Sequence, residues 1–132
     1  MLWDPLRRKE VADTPEENVR QWFISVLKDR AGVPLHQMMS EVSFRFGRKS
    51  YRADVIVYDK SQKPLAVVEC KRPDVALDAS VSEQAMRYNA VLDVRFIFLT
   101  NGLQNYAFKR LGGTFVPLTE MPDYQTMLQC QR

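Results

Sequence analysis

Two apolar stretches in the middle of the chain predict the strands at the centre of the fold. Apolar and β-branched side chains run almost without interruption through residues 55–58 and again through residues 65–68. Such runs are typical of strands that are covered on both faces, as central strands are. The polar residues 60–63 lie between them. The pattern therefore predicts a hairpin, with residues 52–59 as its first strand and residues 64–71 as its second.

A helix is predicted before this hairpin, after an N-terminal arm at residues 1–13. Thr14 has the character of a helix N-cap, and Glu17 stands three residues later, where it would complete a capping box. Apolar positions at helical spacing continue to about residues 29–30 and stop before a glycine and a proline. At about 100° per residue, Glu16 lies near the apolar stripe of this helix, whereas Glu17 points away from it.

The second half of the chain alternates helix and strand and then breaks into shorter elements. An apolar stripe at steps of four residues predicts a helix over about residues 80–92, and the apolar run 94–100 predicts the next strand. Because a right-handed crossover joins parallel strands, this strand should lie parallel to the second hairpin strand. The remaining predicted elements are a loop at 33–39, strands at 41–46, 104–109 and 114–116, and a short helix at 124–131. Together they predict an α/β fold, a mixed sheet flanked by helices.

Composition agrees with one globular domain. The chain has 132 residues, of which 45% are hydrophobic and 27% are charged, so it can bury a core and has no signature of disorder. Residues 1–132 contain no repeat, linker or low-complexity segment, and we expect a single domain. No signal segment or membrane-spanning apolar run is recognisable, so the expected location is the cytoplasm and no membrane partner is expected.

Cysteine and histidine are too scarce to predict a zinc site. Cys70 and Cys130 lie far apart in the sequence, and His36 is the one histidine. Cys70 is interpreted as a small buried residue on the back of the second hairpin strand. A glycine-rich GxxxxGK[ST] loop is absent as well, which argues against ATP hydrolysis.

Positive charge is in slight excess and is open to two interpretations. Nineteen Lys and Arg against 16 Asp and Glu give a net charge of +3, which is compatible with a phosphate-backbone partner without indicating one. The basic run at residues 7–9 could touch phosphates, but a solvated arm is the preferred interpretation. Basic side chains also surround the turn before the hairpin, where a phosphate contact and a solvated turn explain them equally well. They are Arg45, Arg48, Lys49 and Arg52.

Three charged side chains at the strand ends of the hairpin need an explanation. Glu69 and Lys71 point to the same face because side chains alternate along a strand, and hairpin pairing can bring Asp54 beside them. Two carboxylates held close together repel, and one lysine offsets only part of that repulsion. The cluster therefore predicts a site for a hard divalent cation such as Mg²⁺. The alternative is that all three are strand-end charges that meet solvent.

The segment Asp54 … Glu69-Cys70-Lys71 resembles the core motif of the PD-(D/E)xK nuclease superfamily, with Ala53 where the superfamily name has proline. The resemblance extends to the N-terminal nuclease domain of type I restriction enzyme R subunits and its small stand-alone relatives. It spans roughly residues 4–125. The matching stretches, in order, are residues 14–21, 52–54, 64–71, 84–89 and 99–102.

This resemblance implies a restriction-endonuclease-like fold and a DNA endonuclease that depends on Mg²⁺ or Mn²⁺. Asp54, Glu69 and the backbone carbonyl of Cys70 would hold the metal. An acid from the first helix often joins the metal-binding group in related nucleases, and Glu16 is the candidate, with Glu17 in reserve. Both acids could instead serve only to complement the helix dipole.

The resemblance also implies roles for residues beyond the metal ligands. Lys71 would orient or activate the attacking water, or stabilise the charge that develops on the phosphate. Gln84 and Tyr88 match a glutamine and a tyrosine that follow the ExK strand in the family, and the glutamine is counted with the active site. As alternatives, Gln84 is a surface residue and Tyr88 a core aromatic.

The expected partners are DNA, other restriction or repair subunits and, in a homodimer, a second copy of the chain. A non-catalytic DNA-binding or interaction module of a restriction or repair complex stays open as the alternative function.

Overall fold

The computed structural model describes residues 1–89 and 92–130, and at Tyr88 it describes the backbone alone. The elements in that part of the chain are, in order, β1 (Leu2–Asp4), β2 (Lys9–Val11), α1 (Pro15–Asp29), a 3₁₀ turn (Leu35–Gln37), β3 (Met38–Phe46), β4 (Lys49–Tyr58), β5 (Pro64–Cys70), α2 (Ala79–Asn89), β6 (Phe96–Thr100), β7 (Asn105–Leu111), β8 (Thr114–Leu118) and α3 (Tyr124–Gln129).

A mixed sheet forms the centre of the fold. Its described strands follow the order β3-β4-β5-β6-β7-β8, and every neighbouring pair is antiparallel except β5 and β6, which are parallel. The predicted central hairpin corresponds to β4 and β5, and the predicted parallel strand corresponds to β6. The α/β fold class with a mixed sheet flanked by helices is therefore confirmed.

Helices cover both faces of this sheet, which explains the unbroken apolar runs in its central strands. On one face α1 packs side chains such as Phe23 and Leu27 against Val55 and Val68, together with α3. On the other face α2 packs against the alternate strand positions, among them Leu99. A fully buried large apolar side chain contributes roughly 1.5–3 kcal/mol, so these layers supply much of the stability.

The predicted start of α1 is confirmed, but the predicted capping box is wrong in one half. The Thr14 hydroxyl accepts a hydrogen bond of 3.1 Å from the Glu17 N–H, as an N-cap should. The Glu17 carboxylate does not return to the cap. It accepts hydrogen bonds from Arg7 and Arg20 instead, because two guanidinium groups lie within its reach.

The N-terminal arm is solvated only in part: Arg8 and Lys9 are exposed, as predicted, whereas Arg7 is partly buried. Its strands β1 and β2 pair antiparallel with each other, from Leu2 opposite Val11 to Asp4 opposite Lys9. Asp4 is fully buried and forms an ion pair with Arg7, so the first residue of the basic run has a partner in the fold. The sequence pattern did not predict the Asp4–Arg7 ion pair, because charge pairs leave no hydrophobic period.

Several predicted boundaries differ from the observed ones. Strand β3 begins at Met38, inside the predicted loop, because its first residues pair with the far end of β4. The helix predicted over residues 80–92 is observed over Ala79–Asn89, residues 90 and 91 lie outside the described part, and Leu92 is not helical. The short final helix ends at Gln129. Both cysteines are free, and none of the described helices is long and apolar enough to cross a membrane.

Candidate active site

A cavity of about 460 Å³ opens beside the C-terminal end of β5, where β4 parts from it, and reaches both α1 and α2. The residues that line it are Glu16, Arg52, Asp54, Glu69, Cys70, Lys71, Val81, Gln84 and Ala85. Six of these are residues that the sequence proposed for the site. The seventh, Tyr88, belongs to α2, but its side chain lies outside the described part of the structure.

Strand register brings the two acids of the hairpin to the same end of the sheet. Val55 lies opposite Val68 in the β4–β5 ladder, so Asp54 and Glu69 follow as the next positions along the two strands. Beyond this pair, a side-chain contact replaces the backbone hydrogen bonds between the strands. The backbone N–H of Cys70 donates a hydrogen bond of 2.7 Å to Asp54 Oδ2. The carboxylate thus satisfies a buried donor at the point where the strands part.

The second oxygen of Asp54 is bound by an arginine of α1. Arg20 Nη2 lies 3.1 Å from Asp54 Oδ1, and only 3% of the Arg20 side chain is exposed. Arg20 Nη1 also contacts Glu17 Oε1 at 2.8 Å and Glu41 Oε1 at 3.1 Å. Burial alone would lower the pKa of Arg20, but the carboxylates of Asp54, Glu17 and Glu41 outweigh it and raise that pKa. Arg20 is therefore a fixed positive charge beside Asp54.

The ion pairs continue from Arg20 to the N-terminal arm. Arg7 Nη2 contacts Glu17 Oε1 at 2.7 Å, and Arg7 Nη1 contacts Glu41 Oε2 at 3.3 Å. Arg7 also pairs with the buried Asp4. This arginine–carboxylate network, formed by Asp4, Arg7, Glu17, Arg20, Glu41 and Asp54, joins the arm, α1, β3 and β4. It also corrects the orientation predicted for Glu17, which is buried among these residues rather than turned away from the core.

The two candidate acids of α1 have different surroundings. Glu16 lines the cavity, is 44% exposed and lies 3.6 Å from Arg20. Glu17 accepts hydrogen bonds from Arg7, Arg20 and Gln21 and does not line the cavity. Glu16 is thus the helix acid with access to a ligand, and its role as a metal ligand stays a prediction.

Glu69 has different neighbours from Asp54. Burial, and then the negative charge of Asp54, raise the pKa of Glu69 to about 7, against the opposing effects of an Asn89 hydrogen bond and of Lys71. The Asn89 amide donates to Glu69 Oε1 at 3.2 Å and to the Ala85 carbonyl at 2.9 Å. Glu69 therefore changes protonation near neutral pH, and a cation placed beside it would favour the charged form.

Lys71 and Gln84 complete the wall of the cavity. The backbone N–H of Lys71 donates to the Thr100 carbonyl at 2.8 Å, which prolongs the alignment of β5 with β6 beyond Cys70. No carboxylate in the described residues forms an ion pair with the Lys71 ammonium group. Gln84 projects from α2 and is exposed.

The segment after β6 holds the loops beside this wall. Asn101 Nδ2 donates to the Val75 carbonyl at 2.9 Å, and its Oδ1 accepts from the N–H groups of Leu103 and Gln104. Gly102 adopts φ +87°, and a Cβ there would lie 3.3 Å from Val19 of α1. The matching stretch at residues 99–102 thus has a structural role in tying the sheet to α1.

The oxygen donors of the cavity suit a divalent cation, but the described side chains do not form a complete set of metal ligands. Asp54 and Glu69 offer oxygen donors, and a cation beside them would oppose the burial and the Asp54 charge that raise the pKa of Glu69. Each Asp54 oxygen already accepts one hydrogen bond, and a carboxylate has about four acceptor sites in total. Among residues 1–89 and 92–130, His, Cys, Asp and Glu side chains form no group of three that could surround a metal ion.

Two buried polar residues at the site were missed by the sequence reasoning. Arg20 binds Asp54, and Asn89 binds Glu69. Both lie inside stretches that carried the family resemblance, and Arg20 stands four residues after Glu16, so the two share a helix side. The available signal for them was a polar residue among the apolar residues on the core-facing side of a helix.

Comparison with known proteins gives one family and several similar folds. Residues 15–122 match the sequence family described as type I restriction enzyme R protein N terminus (HSDR_N). A fragment of a candidate HsdR subunit of a type I restriction enzyme from Vibrio vulnificus superposes with a TM-score of 0.67 at 20% identity, over 88% of this chain and 25% of that chain. No curated protein sequence matches significantly.

The match to a second solved structure covers a larger share of that structure's chain. This is a candidate nuclease of the DUF820 group from Anabaena variabilis, with a TM-score of 0.55 at 12% identity, over 95% of this chain and 80% of that one. At these identities the two structures establish likeness of fold. The chain spans only about a quarter of the Vibrio chain's length.

Proposed function

Because the chain belongs to the family of type I restriction enzyme R protein N termini, we propose that it is a metal-dependent deoxyribonuclease that hydrolyses phosphodiester bonds in DNA. The observation that carries this proposal is the meeting of Asp54, Glu69 and Lys71 at one cavity, where β5 ends and β4 parts from it. Carboxylates suit a hard divalent cation, and an ammonium group suits the negative charge that develops on a phosphate during attack.

In this proposal Asp54 and Glu69 hold one or two Mg²⁺ or Mn²⁺ ions, with Glu16 and the backbone carbonyl of Cys70 as further ligands. A cation of this kind lowers the pKa of its bound water and neutralises charge on the scissile phosphate. The position of Glu16 on the cavity wall supports its choice over Glu17, which is engaged by arginines.

The remaining side chains position these groups or stabilise charge. Lys71 orients the attacking water or donates a hydrogen bond to a phosphate oxygen, for which its ammonium group is available on the cavity wall. Arg20 and Asn89 are positioning residues that hold the carboxylates of the two acids. Gln84 and Tyr88, one helical turn apart, complete the catalytic set in this proposal.

The proposed setting follows from the family. DNA is the substrate, other restriction or repair subunits are partners, and the protein works in the cytoplasm, where reduced cysteines such as the free Cys70 and Cys130 persist. A homodimer stays a prediction.

One observation favours a second candidate function, a non-catalytic DNA-binding or interaction module. Asp54 already has Arg20 as an ion-pair partner without a metal. In that case the arginine–carboxylate network would be purely structural, and Lys71 would be a simple phosphate contact.

A nuclease assay on a panel of DNA forms separates the two functions. Linear, nicked, branched and single-stranded DNA would be incubated with the protein in Mg²⁺, in Mn²⁺ and in EDTA. We expect cleavage of at least one form that requires the metal and is lost in Glu69→Gln, while Glu83→Gln, at an exposed acid of α2, keeps it. Wild-type protein that cleaves none of the forms, or cleaves equally in EDTA, contradicts the proposal.

A further inference from the structure

The hairpin formed by β3 and β4 carries a group of basic residues next to the cavity. Between Glu41 and Asp54 the sequence contains four basic residues and no acid. Residues 45–50 are all exposed, and β3 has no further neighbour on its outer side in the described sheet. The sequence alone explained these charges equally well by solvent and by phosphate.

Strand register sorts the outer hairpin into two distinct faces. Ser43 lies opposite Arg52 and Arg45 lies opposite Ser50, so these four side chains share one face. The alternate positions include Phe44 and its stacked partner Tyr51, and Phe44 packs toward the core on the α2 side. One face is thus anchored, and the other presents only arginine and serine side chains.

This polar face leads directly into the candidate active site. Arg52 precedes Asp54 by two residues on the same strand, a distance of about 7 Å, and the Arg45–Ser50 pair lies about 7 Å further out. Arg52 lines the main cavity and also an adjoining groove of about 420 Å³, whose other lining residues are Ser43, Phe44, Arg45, Ser50 and Tyr51. The cavity and the groove are therefore neighbours that share one side chain.

We propose that the outer β3–β4 hairpin, residues 43–52, is a DNA-binding arm whose Arg45/Arg52 face and Arg48 tip bind the phosphate backbone beside the scissile bond. This inference rests on the proposed nuclease function, because it names the surface that feeds substrate to that site. Guanidinium groups match phosphate in charge and in planar, two-pronged hydrogen bonding, and serine hydroxyls are common phosphate donors. Repeated basic residues along a path to a phosphodiester-cutting cavity favour DNA over an acidic protein.

The test measures DNA binding without cleavage, in EDTA, by the anisotropy of a fluorescent duplex over a range of salt concentrations. The variant Arg45→Gln/Arg48→Gln should raise Kd at least about fivefold. It should also lower the slope of log K against log[salt] by roughly 2, because each phosphate contact contributes about 0.9.

The matched control removes two positive charges from the opposite end of β4. Lys60 and Lys63 are exposed and lie in the β4–β5 turn, so Lys60→Gln/Lys63→Gln changes the net charge by the same amount. It should change Kd less than about twofold. A single-residue comparison tests the face itself, since Lys49 pairs with Phe46 on the face opposite to Arg45. Arg45→Gln should weaken binding more than Lys49→Gln.

Failure of this inference differs from failure of the proposed function. If the wild type cleaves DNA but the hairpin and control variants bind it equally well, the arm is not the binding surface and the nuclease stands. If the wild type binds DNA without cleaving it, and Arg45→Gln/Arg48→Gln weakens that binding while the control variant does not, the binding arm is supported and the nuclease proposal fails. A wild type that does not bind DNA overturns the arm and leaves the basic face to a different acidic partner.

Discussion

The two acids of the cavity are similar in sequence but not in their physical state. Asp54 is compensated by the buried Arg20 and by the N–H of Cys70. Glu69 has a neutral amide as its hydrogen-bond donor, and its pKa is raised to about 7. From the sequence they were simply two carboxylates that repel. In the structure, burial and then the negative charge of Asp54 raise the pKa of Glu69.

The raised pKa of Glu69 predicts a loss of stability between about pH 5 and pH 8. A carboxyl group with a pKa of about 7 in the folded state and 4.5 in the unfolded state stabilises the protein fully below the lower value. That stabilisation is lost as the pH rises through 7, to an upper limit of roughly 3 kcal/mol at about 1.4 kcal/mol per pKa unit. Urea denaturation in EDTA should show this decline in the wild type and not in Glu69→Gln. An equal decline in both proteins would contradict it.

A charged Glu69 lowers stability, whereas a charged Asp54 should raise it. Asp54→Asn removes the charge that faces Arg20 Nη2 and leaves a buried guanidinium less well compensated, so the free energy of unfolding should fall by about 1–3 kcal/mol. The control is Asp74→Asn, whose aspartate pairs with Arg72 but is 71% exposed, and which should change stability by less than about 0.5 kcal/mol. The measurement is the urea midpoint at pH 8 in EDTA. If Asp54→Asn were as stable as the wild type, Arg20 would not be the partner that matters.

At the scale of elements, the sequence predicted the helices and strands that leave a periodic pattern of apolar residues or a helix cap. The β4–β5 hairpin, the start of α1 and the parallel strand β6 all follow from apolar runs or caps. The ion pair of the β1–β2 arm could not be predicted, because the buried Asp4 and its partner Arg7 come together only in the folded chain. The same limit explains why the interior position of Glu17 was missed.

The arginine–carboxylate network predicts that a single arginine fastens the N-terminal arm. Arg7→Gln leaves the buried Asp4 without its ion-pair partner and removes contacts to Glu17 and Glu41, so stability should fall by roughly 1–3 kcal/mol. Amide exchange in β1 and β2 should quicken more than in β5. Arg8→Gln, at the exposed neighbouring position, is the control and should leave both quantities unchanged. Equal effects of the two substitutions would show that the arm does not depend on this network.

At the scale of the whole molecule, the site is assembled where three separate parts of the chain meet. The hairpin supplies Asp54, Glu69 and Lys71, α1 supplies Glu16, and α2 supplies Gln84. Spacing along the chain and family resemblance were enough to name these residues. They could not identify Arg20 or Asn89 as partners of the acids, since those contacts depend on how the helices pack over the end of the sheet.

The most direct test of the central claim is to compare DNA cleavage and DNA binding in Lys71 variants. A lysine that acts on the attacking water needs its compact ammonium group, whereas a phosphate contact needs only a positive charge. Lys71→Ala, and largely Lys71→Arg, should therefore abolish cleavage in Mg²⁺ or Mn²⁺. DNA binding measured in Ca²⁺ should change by less than about tenfold, which is about 1.4 kcal/mol. Wild-type protein that binds DNA without cleaving any form of it, together with weakened binding in Lys71→Ala, would contradict the account and establish the binding module in its place.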